Sequence, residues 1–281
     1  MAQSRNVIIT GGSSGLGLAL AEALLRRGDH VLLLARDAAK LAAAITGLRE
    51  KNPHAQVDFI ASDVSGAQIE ADIARAVQTL GGLDLLINSA GILREGYFEH
   101  LTEDDFRRTL DINFFGAVRV IRAALPWLRQ SRGKIINISS VAGLTGVFGY
   151  AAYCSSKYAL LGFSETLRAE LKPQGIRVQV VCPPEFDSPM VDALDQGRTP
   201  ENQAHALTIP KLDLPTVVNA IVAGLDRAQF IIIPGVQTRL MTFGLQHFPG
   251  ISRWVSDLRI RASYRGPTHQ PKPVQKSGSG A

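Results

Sequence analysis

The chain has 281 residues, of which 46% are hydrophobic and 20% charged, enough apolar material for a full core and far from the composition of a disordered polymer. No apolar run reaches the roughly 18 to 20 residues that span a bilayer, and the chain opens on a strand-like run instead of a charged leader into an apolar segment, which predicts a cytoplasmic location. The net charge of +5 gathers at one end: from Arg239 onward seven basic residues face one acid, Asp257, and the rest carries about −1, so the basicity belongs to a tail and no nucleic-acid partner is expected.

In chain order, apolar strand-like runs alternate with helical patterns: Asn6–Thr10, His30–Ala35, Gln56–Ala61, Leu83–Asn88, Lys134–Ser139, Arg177–Cys182 and Phe230–Pro234. Runs such as Val31-Leu32-Leu33-Leu34 are apolar on both faces, as strands covered by helices on each side must be. The rhythm predicts an α/β fold, a Rossmann-type doubly wound parallel sheet of seven strands with helices on both faces. The first helix, Leu16–Arg27, carries its apolar residues on adjoining faces and is closed by Gly28. Residues 1–235 are expected to form one domain. Asp187–Pro210 contains three prolines and lacks periodicity, so 187–212 reads as an insertion that forms a substrate lid. Beyond it, Arg239–Leu258 predicts two short amphipathic helices interrupted by Pro249-Gly250, within an extension over 236–265. The Pro/Lys/Ser/Gly-rich end, 266–281, is expected to be disordered. Cys154 and Cys182 are the only cysteines and the six histidines are scattered, so neither a disulfide framework nor a metal site is expected.

Directly after the first strand comes Thr10-Gly11-Gly12-Ser13-Ser14-Gly15-Leu16-Gly17, which opens a helix. Gly11 permits a sharp turn, Gly15 close backbone approach to a pyrophosphate, and Gly17 close packing of helix on strand, while the helix N-terminus offers free N–H groups to phosphates. The second strand ends in Ala35-Arg36, where an NAD site usually carries an acid on the ribose diol. A guanidinium there, with Ser13, Ser14 and Lys40 as further donors, suits the 2′-phosphate of NADP. Its rival reading is a solvated loop arginine. Asp63, before Val64, is placed either to accept from the adenine amino group or to cap the next helix.

Tyr153-Cys154-Ser155-Ser156-Lys157 opens another helix, with Tyr153 and Lys157 four apart on one face. A phenol is a poor catalyst near neutral pH unless a neighbouring cation stabilises its phenolate, and the ammonium one turn away is placed to do so. The fourth strand ends in Asn88-Ser89-Ala90-Gly91, Asn113 lies in the long helix that follows, and the fifth strand ends in Ser139-Ser140. In a parallel sheet these ends meet at the edge that carries the glycine turn.

The ordered set T-G-x-x-x-G-x-G, N-x-A-G, N, S and Y-x-x-x-K resembles the short-chain dehydrogenases/reductases, and the resemblance covers residues 5 to 235. It implies a catalytic tetrad of Asn113, Ser140, Tyr153 and Lys157. Ser140 would hold the substrate oxygen and Tyr153 would protonate it as NADPH delivers hydride. Lys157 would bind the nicotinamide ribose and lower the tyrosine pKa, and Asn113 would support a water path to the lysine. Ser139 is the rival of Ser140, which the thirteen-residue spacing to Tyr153 favours. The implied cofactor wall takes Gly11, Ser13, Ser14, Gly15, Leu16 and Gly17 from the turn, Arg36 and Lys40 after the second strand, Asp63 and Val64 after the third, and Asn88, Ala90 and Gly91 after the fourth. Pro183, Ser188, Tyr153 and Lys157 complete it.

Where the family typically has Pro-Gly and a threonine, this chain reads Pro183-Pro184-Glu185-Phe186-Asp187-Ser188-Pro189. Proline removes an N–H and fixes the backbone, so the path must differ, with Ser188 expected to hold the nicotinamide amide. These residues, with Gly146–Tyr150 and Ala35-Arg36, resemble the subfamily of 3-ketodihydrosphingosine reductases, which implies an NADPH-dependent reductase of a long-chain ketone in sphingolipid synthesis. Hydroxysteroid and 3-oxoacyl reductases are the alternatives within the family; an NADPH-sensing protein without turnover is the alternative of another class. Leu93, Leu144, Val147, Phe148, Met190, Val191 and Leu194, with Ser140, are expected to line the substrate site, an apolar wall without a cluster of fixed charges, although core packing explains each of the apolar side chains as well. The basic amphipathic pair after the last strand either meets an anionic membrane or closes the pocket or a subunit interface. The family resemblance also implies a homodimer or homotetramer.

Overall fold

The computed structural model describes residues 4–206, 208 and 210–264; the tail expected over 266–281 lies outside the described residues. The strands are β1 (Asn6–Thr10), β2 (His30–Ala35), β3 (Val57–Ala61), β4 (Leu85–Asn88), β5 (Lys134–Ile138), β6 (Arg177–Val181) and β7 (Ile231–Ile232). Between and after them run helices α1 (Gly15–Leu25), α2 (Ala38–Lys51), α3 (Ile69–Leu80), α4 (Glu103–Leu110), α5 (Gly116–Ser131) and α6 (Ala151–Leu171). Five more follow: α7 (Pro189–Asp195), α8 (Pro200–Ala206), α9 (Leu214–Gly224), α10 (Val236–His247) and α11 (Pro249–Ser263). All strand pairs are parallel, in the order β3-β2-β1-β4-β5-β6-β7. This is the doubly wound sheet that the sequence predicts, with every strand starting and ending within two residues of its expected limits.

Alternation along each strand decides which helices it carries. Val7 and Ile9 of β1 point into a core with Leu20 and Leu24 of α1, Leu41 and Ile45 of α2, and Val217 and Ile221 of α9. Ile8 points to the other face, against Ile73 of α3, Val120 and Leu128 of α5 and Leu167 of α6. At β1 the winding reverses direction, because β2 lies on one side and β4 on the other. Thr10 ties that point together: its Oγ1 accepts from the amides of Ser89 and Ala90 at 3.1 and 3.2 Å.

Two departures from the expected elements lie near this edge. The helix that carries Asn113 is not continuous, because Asp111–Phe115 forms a π-helical turn between α4 and α5; such one-turn bulges re-aim a side chain without ending the helix. The lid is also more ordered than its aperiodic sequence predicts. It contains α7 and α8, each of seven residues, too short to display a helical period. Ser188 caps α7 by accepting from the Val191 amide, with Pro189 at the first helical position. Both ends of the insertion meet at one place, where Leu212 bridges Phe186 and its amide donates to the Glu185 carbonyl at 2.9 Å.

Candidate active site

One cavity of about 690 Å³ opens along the carboxyl ends of the strands, within the few hundred to a thousand Å³ typical of small-molecule sites. Its floor at one end is the turn after β1. Gly11 takes φ +70°, and a Cβ there would lie 2.8 Å from the Ala90 nitrogen; at Gly17 it would lie 2.3 Å from the Gly11 carbonyl oxygen. Any side chain at either position would force the turn away from its neighbours. Ser14 precedes α1 in extended conformation but makes no capping hydrogen bond with its side chain, and the first turn of α1 holds no acid. The N–H groups at this helix end therefore face the cavity without an internal anion, which fits a pyrophosphate. Ser13, Ser14, Gly15 and Leu16 line the same end, as do Arg36, Lys40 and Val64. Asp63 lines it too, while its Oδ1 accepts from the Ser65 amide and hydroxyl at 2.9 and 2.7 Å. Burial opposes ionisation of Asp63, but those bonds and the charges of Arg36 and Arg108 hold its pKa below the usual value.

At the middle of the cavity stand Ser140, Tyr153 and Lys157. β5 delivers Ser140 and α6 delivers the other two, and Tyr153 shares a side-chain hydrogen bond with Ser140. Ser140 Oγ also accepts from the Ala142 amide at 3.1 Å. Ser139, the rival, spends its hydroxyl on the Lys157 carbonyl at 3.0 Å and is buried. Asn113, on the π turn, stays behind the cavity wall: its Oδ1 accepts from the Ile92 amide at 2.8 Å, and its Nδ2 donates to the Ile92 carbonyl and to Ser156 Oγ at 2.9 and 3.0 Å. It thereby fixes the loop that presents Ala90 and Gly91 to the cavity.

The electrostatics differ from the expected acidified phenol. Burial pushes Tyr153 well above the ordinary tyrosine value, with Ser140 pulling the other way. Burial also lowers Lys157, to about 8. The ammonium stands 5.4 Å from the Tyr153 ring centroid and donates to the Ile138 carbonyl at 2.9 Å, so it does not hold the phenol oxygen directly. Tyr153 is accordingly kept in its protonated, proton-donating form.

The far end is built by the lid and the last two helices. Leu93, Val147, Met190 and Val191 line it as expected, with Met241 and Leu245 of α10 and Ile251 and Val255 of α11. Pro183 and Ser188 lie along the wall between the two ends. Besides Asn113, four expected residues do not reach the cavity. Asn88 turns into the sheet and donates to Asn137 Oδ1 at 2.8 Å. Leu194 packs with Tyr150, Tyr153 and Cys154 in a small core of its own. Phe148 sets its ring edge-on to Tyr97, while its backbone serves the lid. Leu144, in the turn after Ser140, is absent from the wall as well.

A charged cluster adjoins this wall, and of it only Glu185 and Tyr150 line the cavity. Arg198, between α7 and α8, is bound to Glu185, to Asp195 at 3.1 Å, to Asn202 at 2.7 Å and to the Tyr150 hydroxyl at 3.3 Å. Burial lowers the guanidinium pKa, but the bonds to Glu185 and Tyr150 outweigh it and the net shift is upward. Further bonds hold the lid down: Thr199 to Glu95 at 2.7 Å, Tyr97 to Glu201 at 2.8 Å, and the Phe148 amide to His205 Nδ1 at 3.0 Å. The sequence offered no spacing that links Arg198 to Glu185, since both lie in aperiodic chain.

A doubly wound sheet with this turn, serine, tyrosine and lysine at its carboxyl edge defines a class, and the family model described as short chain dehydrogenase matches residues 5–199. The chain belongs to the short-chain dehydrogenase family. It is 39% identical over 189 residues to a 3-dehydrosphinganine reductase of Danio rerio, a match covering 66% of this chain and 57% of that protein. It is 38% identical over 207 residues to a 3-ketodihydrosphingosine reductase of Bos taurus, covering 72% and 60%. The matches therefore span less than two thirds of either relative's length. Among crystal structures, an actinorhodin polyketide ketoreductase variant with NADPH superposes with a TM-score of 0.76 at 29% identity, over 85% of this chain and 99% of that one.

Proposed function

We propose that the protein is a cytoplasmic NADPH-dependent reductase that converts a ketone on a long apolar chain to a secondary alcohol, with 3-ketodihydrosphingosine as its substrate. One observation carries the reading: a single cavity joins an anion-ready turn with Arg36 beside it, the Ser140–Tyr153 pair, and an apolar end walled by the lid and the two C-terminal helices. NADPH, when bound, supplies hydride to the carbonyl carbon. Ser140 holds the carbonyl oxygen by hydrogen bond, and Tyr153 gives that oxygen its phenolic proton. Lys157 has N–H donors left for the nicotinamide ribose, and Asn113 supports the water path that returns a proton to the lysine. The names of the two relatives support the sphingoid substrate. The likeness to a polyketide ketoreductase favours a second reading, reduction of a 3-oxoacyl thioester. Following NADPH loss with 3-ketodihydrosphingosine, a steroid ketone and an acetoacetyl thioester separates them; no turnover of the sphingoid ketone rejects the first.

The extension fits a peripheral membrane contact beside the cavity mouth. Leu240, Phe248 and Trp254 are 67%, 58% and 62% exposed, and Arg239, Arg253, Arg259 and Arg261 are exposed among them, the composition of an interfacial helix pair. Among the described residues no helix is long and apolar enough to cross a membrane. Exposed Phe115 and Tyr158, on the π turn and α6, are the surface on which a homodimer or tetramer would form.

A further inference from the structure

The apolar end of the cavity contains an acidic feature that the reductase reading leaves without a role. Among the described wall residues the acids are Asp37, Asp63 and Glu185. The first two flank the anion-binding end, near Arg36; Glu185 stands two residues beyond Pro183, whose carbonyl accepts from Ser140 Oγ at 3.5 Å. Glu185 faces the cavity while its partner does not. Arg198 is absent from the wall, its side chain only 11% exposed, and its donors are all engaged by Glu185, Asp195, Asn202 and Tyr150. With Lys211 and its partner Asp187 beside them, Glu185, Asp187 and Asp195 stand against Arg198 and Lys211, three acids to two bases, which leaves this cluster with a net charge of −1. Each Glu185 oxygen receives one N–H from Arg198 and retains a lone pair for another donor. The cluster also touches the reacting centre: Tyr150, bound by Arg198, sets its ring edge-on to Tyr153 with centroids 5.7 Å apart. Two other cations stand in this region: Arg259 of α11 lines the wall, and Lys211 pairs with Asp187 at 2.8 Å within electrostatic reach of Glu185.

We propose that Glu185 is an ammonium subsite, and that the substrate is an amino ketone whose protonated amine lies within a bond or two of the carbonyl. This rests on the reductase reading and narrows it. Arg198 is the positioning residue: it fixes the carboxylate through both oxygens from outside the wall, so that Glu185, which lines the cavity, keeps a lone pair on each oxygen for a donor inside it. A neutral ketone of the same length fills the apolar end but leaves those lone pairs without a second donor.

The test compares 3-ketodihydrosphingosine with the same long-chain hydroxy ketone lacking its amine, in wild type, Glu185→Gln and Glu185→Asp, by NADPH oxidation. Loss of a charge-assisted bond raises KM about tenfold to a hundredfold. Wild type is expected to prefer the amino ketone by that factor, Glu185→Gln to lose the preference by raising KM for the amino ketone alone, and Glu185→Asp to restore part of it. A purely structural link between Glu185 and the lid would raise KM for both ketones equally, and that result overturns the subsite. Wild type that reduces both ketones with equal KM also overturns it, yet leaves the reductase reading standing. Failure of wild type to reduce either ketone removes the reading and the subsite together.

Discussion

The ammonium of Lys157 and the ring of Tyr153 lie 5.4 Å apart, one turn apart on α6, yet the lysine gives its hydrogen bond to the Ile138 carbonyl and not to the phenol. The phenol is therefore the proton carrier and the ammonium its neighbour at a distance. Tyr153→Phe keeps the packing and removes the proton, so turnover is expected to fall by about 10²- to 10⁴-fold, with NADPH binding, followed by nucleotide fluorescence, unchanged. A loss of less than tenfold assigns the proton to another group. Unaltered function in cells with the Phe variant favours an NADPH-sensing role instead.

Burial sets the protonation of Lys157 at about pH 8. Below that pH the ammonium is present to bind the ribose, and above it the charge is lost. The rate measured as kcat/KM is expected to decline on the alkaline side with a midpoint near 8. A profile flat to pH 10 shows that the charge of Lys157 plays no part.

Arg36 is the sole basic side chain placed directly at the end of β2, and it lines the anion-binding end of the cavity. Arg36→Ala is expected to weaken NADPH by about 1.5 to 3 kcal/mol, the worth of a charge-assisted hydrogen bond, and NADH much less. Titration with both nucleotides measures the difference; equal losses place Arg36 away from the 2′-phosphate.

Lys134 begins β5 with its Nζ buried and without a hydrogen-bond acceptor among the described residues. Burial lowers its pKa to about 8, with Arg177 adding to the shift. Between pH 8 and 10.5 the unfolded chain holds a proton that the folded chain has released, so wild-type stability gains with rising pH across that window. Lys134→Met removes the buried charge and is expected to stabilise by about 1 to 3 kcal/mol at pH 7. The advantage shrinks as pH rises to 10.5. Chemical denaturation at pH 7 and pH 10 checks both, and a destabilised Met variant at pH 7 contradicts the account.

Leu240 and Trp254 sit on the exposed faces of α10 and α11. The double variant Leu240→Ser and Trp254→Ser is expected to lose flotation with anionic vesicles while retaining its melting temperature. Wild type that stays at the bottom of the gradient rejects the membrane contact.

The sheet was legible because its strands are apolar on both faces and every crossover helix is long enough to show a period. Ser140, Tyr153 and Lys157 were legible from spacing, because spacing along β5 and α6 becomes position at a common edge. The lid was not. Seven-residue helices make fewer than two turns, and Arg198 meets Glu185 only after the chain has left β6 and folded back, a relation that no period encodes. Leu144, Phe148 and Leu194 were misplaced for a related reason: apolar character marks burial but does not say whether the neighbour is a cavity or another side chain. The acidified tyrosine was not legible for a different reason: burial raises the phenol and Lys157 donates to the Ile138 carbonyl, and spacing along a helix encodes neither.

Because the insertion leaves and re-enters at the Phe186–Leu212 bridge, the roof over the apolar end is a cassette spliced in at one place and fastened down by Glu95, Tyr97 and Phe148. Its sequence can be exchanged without altering strand order or the nucleotide-facing turn. Part of the ketone preference is thus carried by an exchangeable piece of chain, and grafting 190–211 from a relative of different taste would alter it while Ser188, the glycine turn and Arg36 stay in place for the coenzyme.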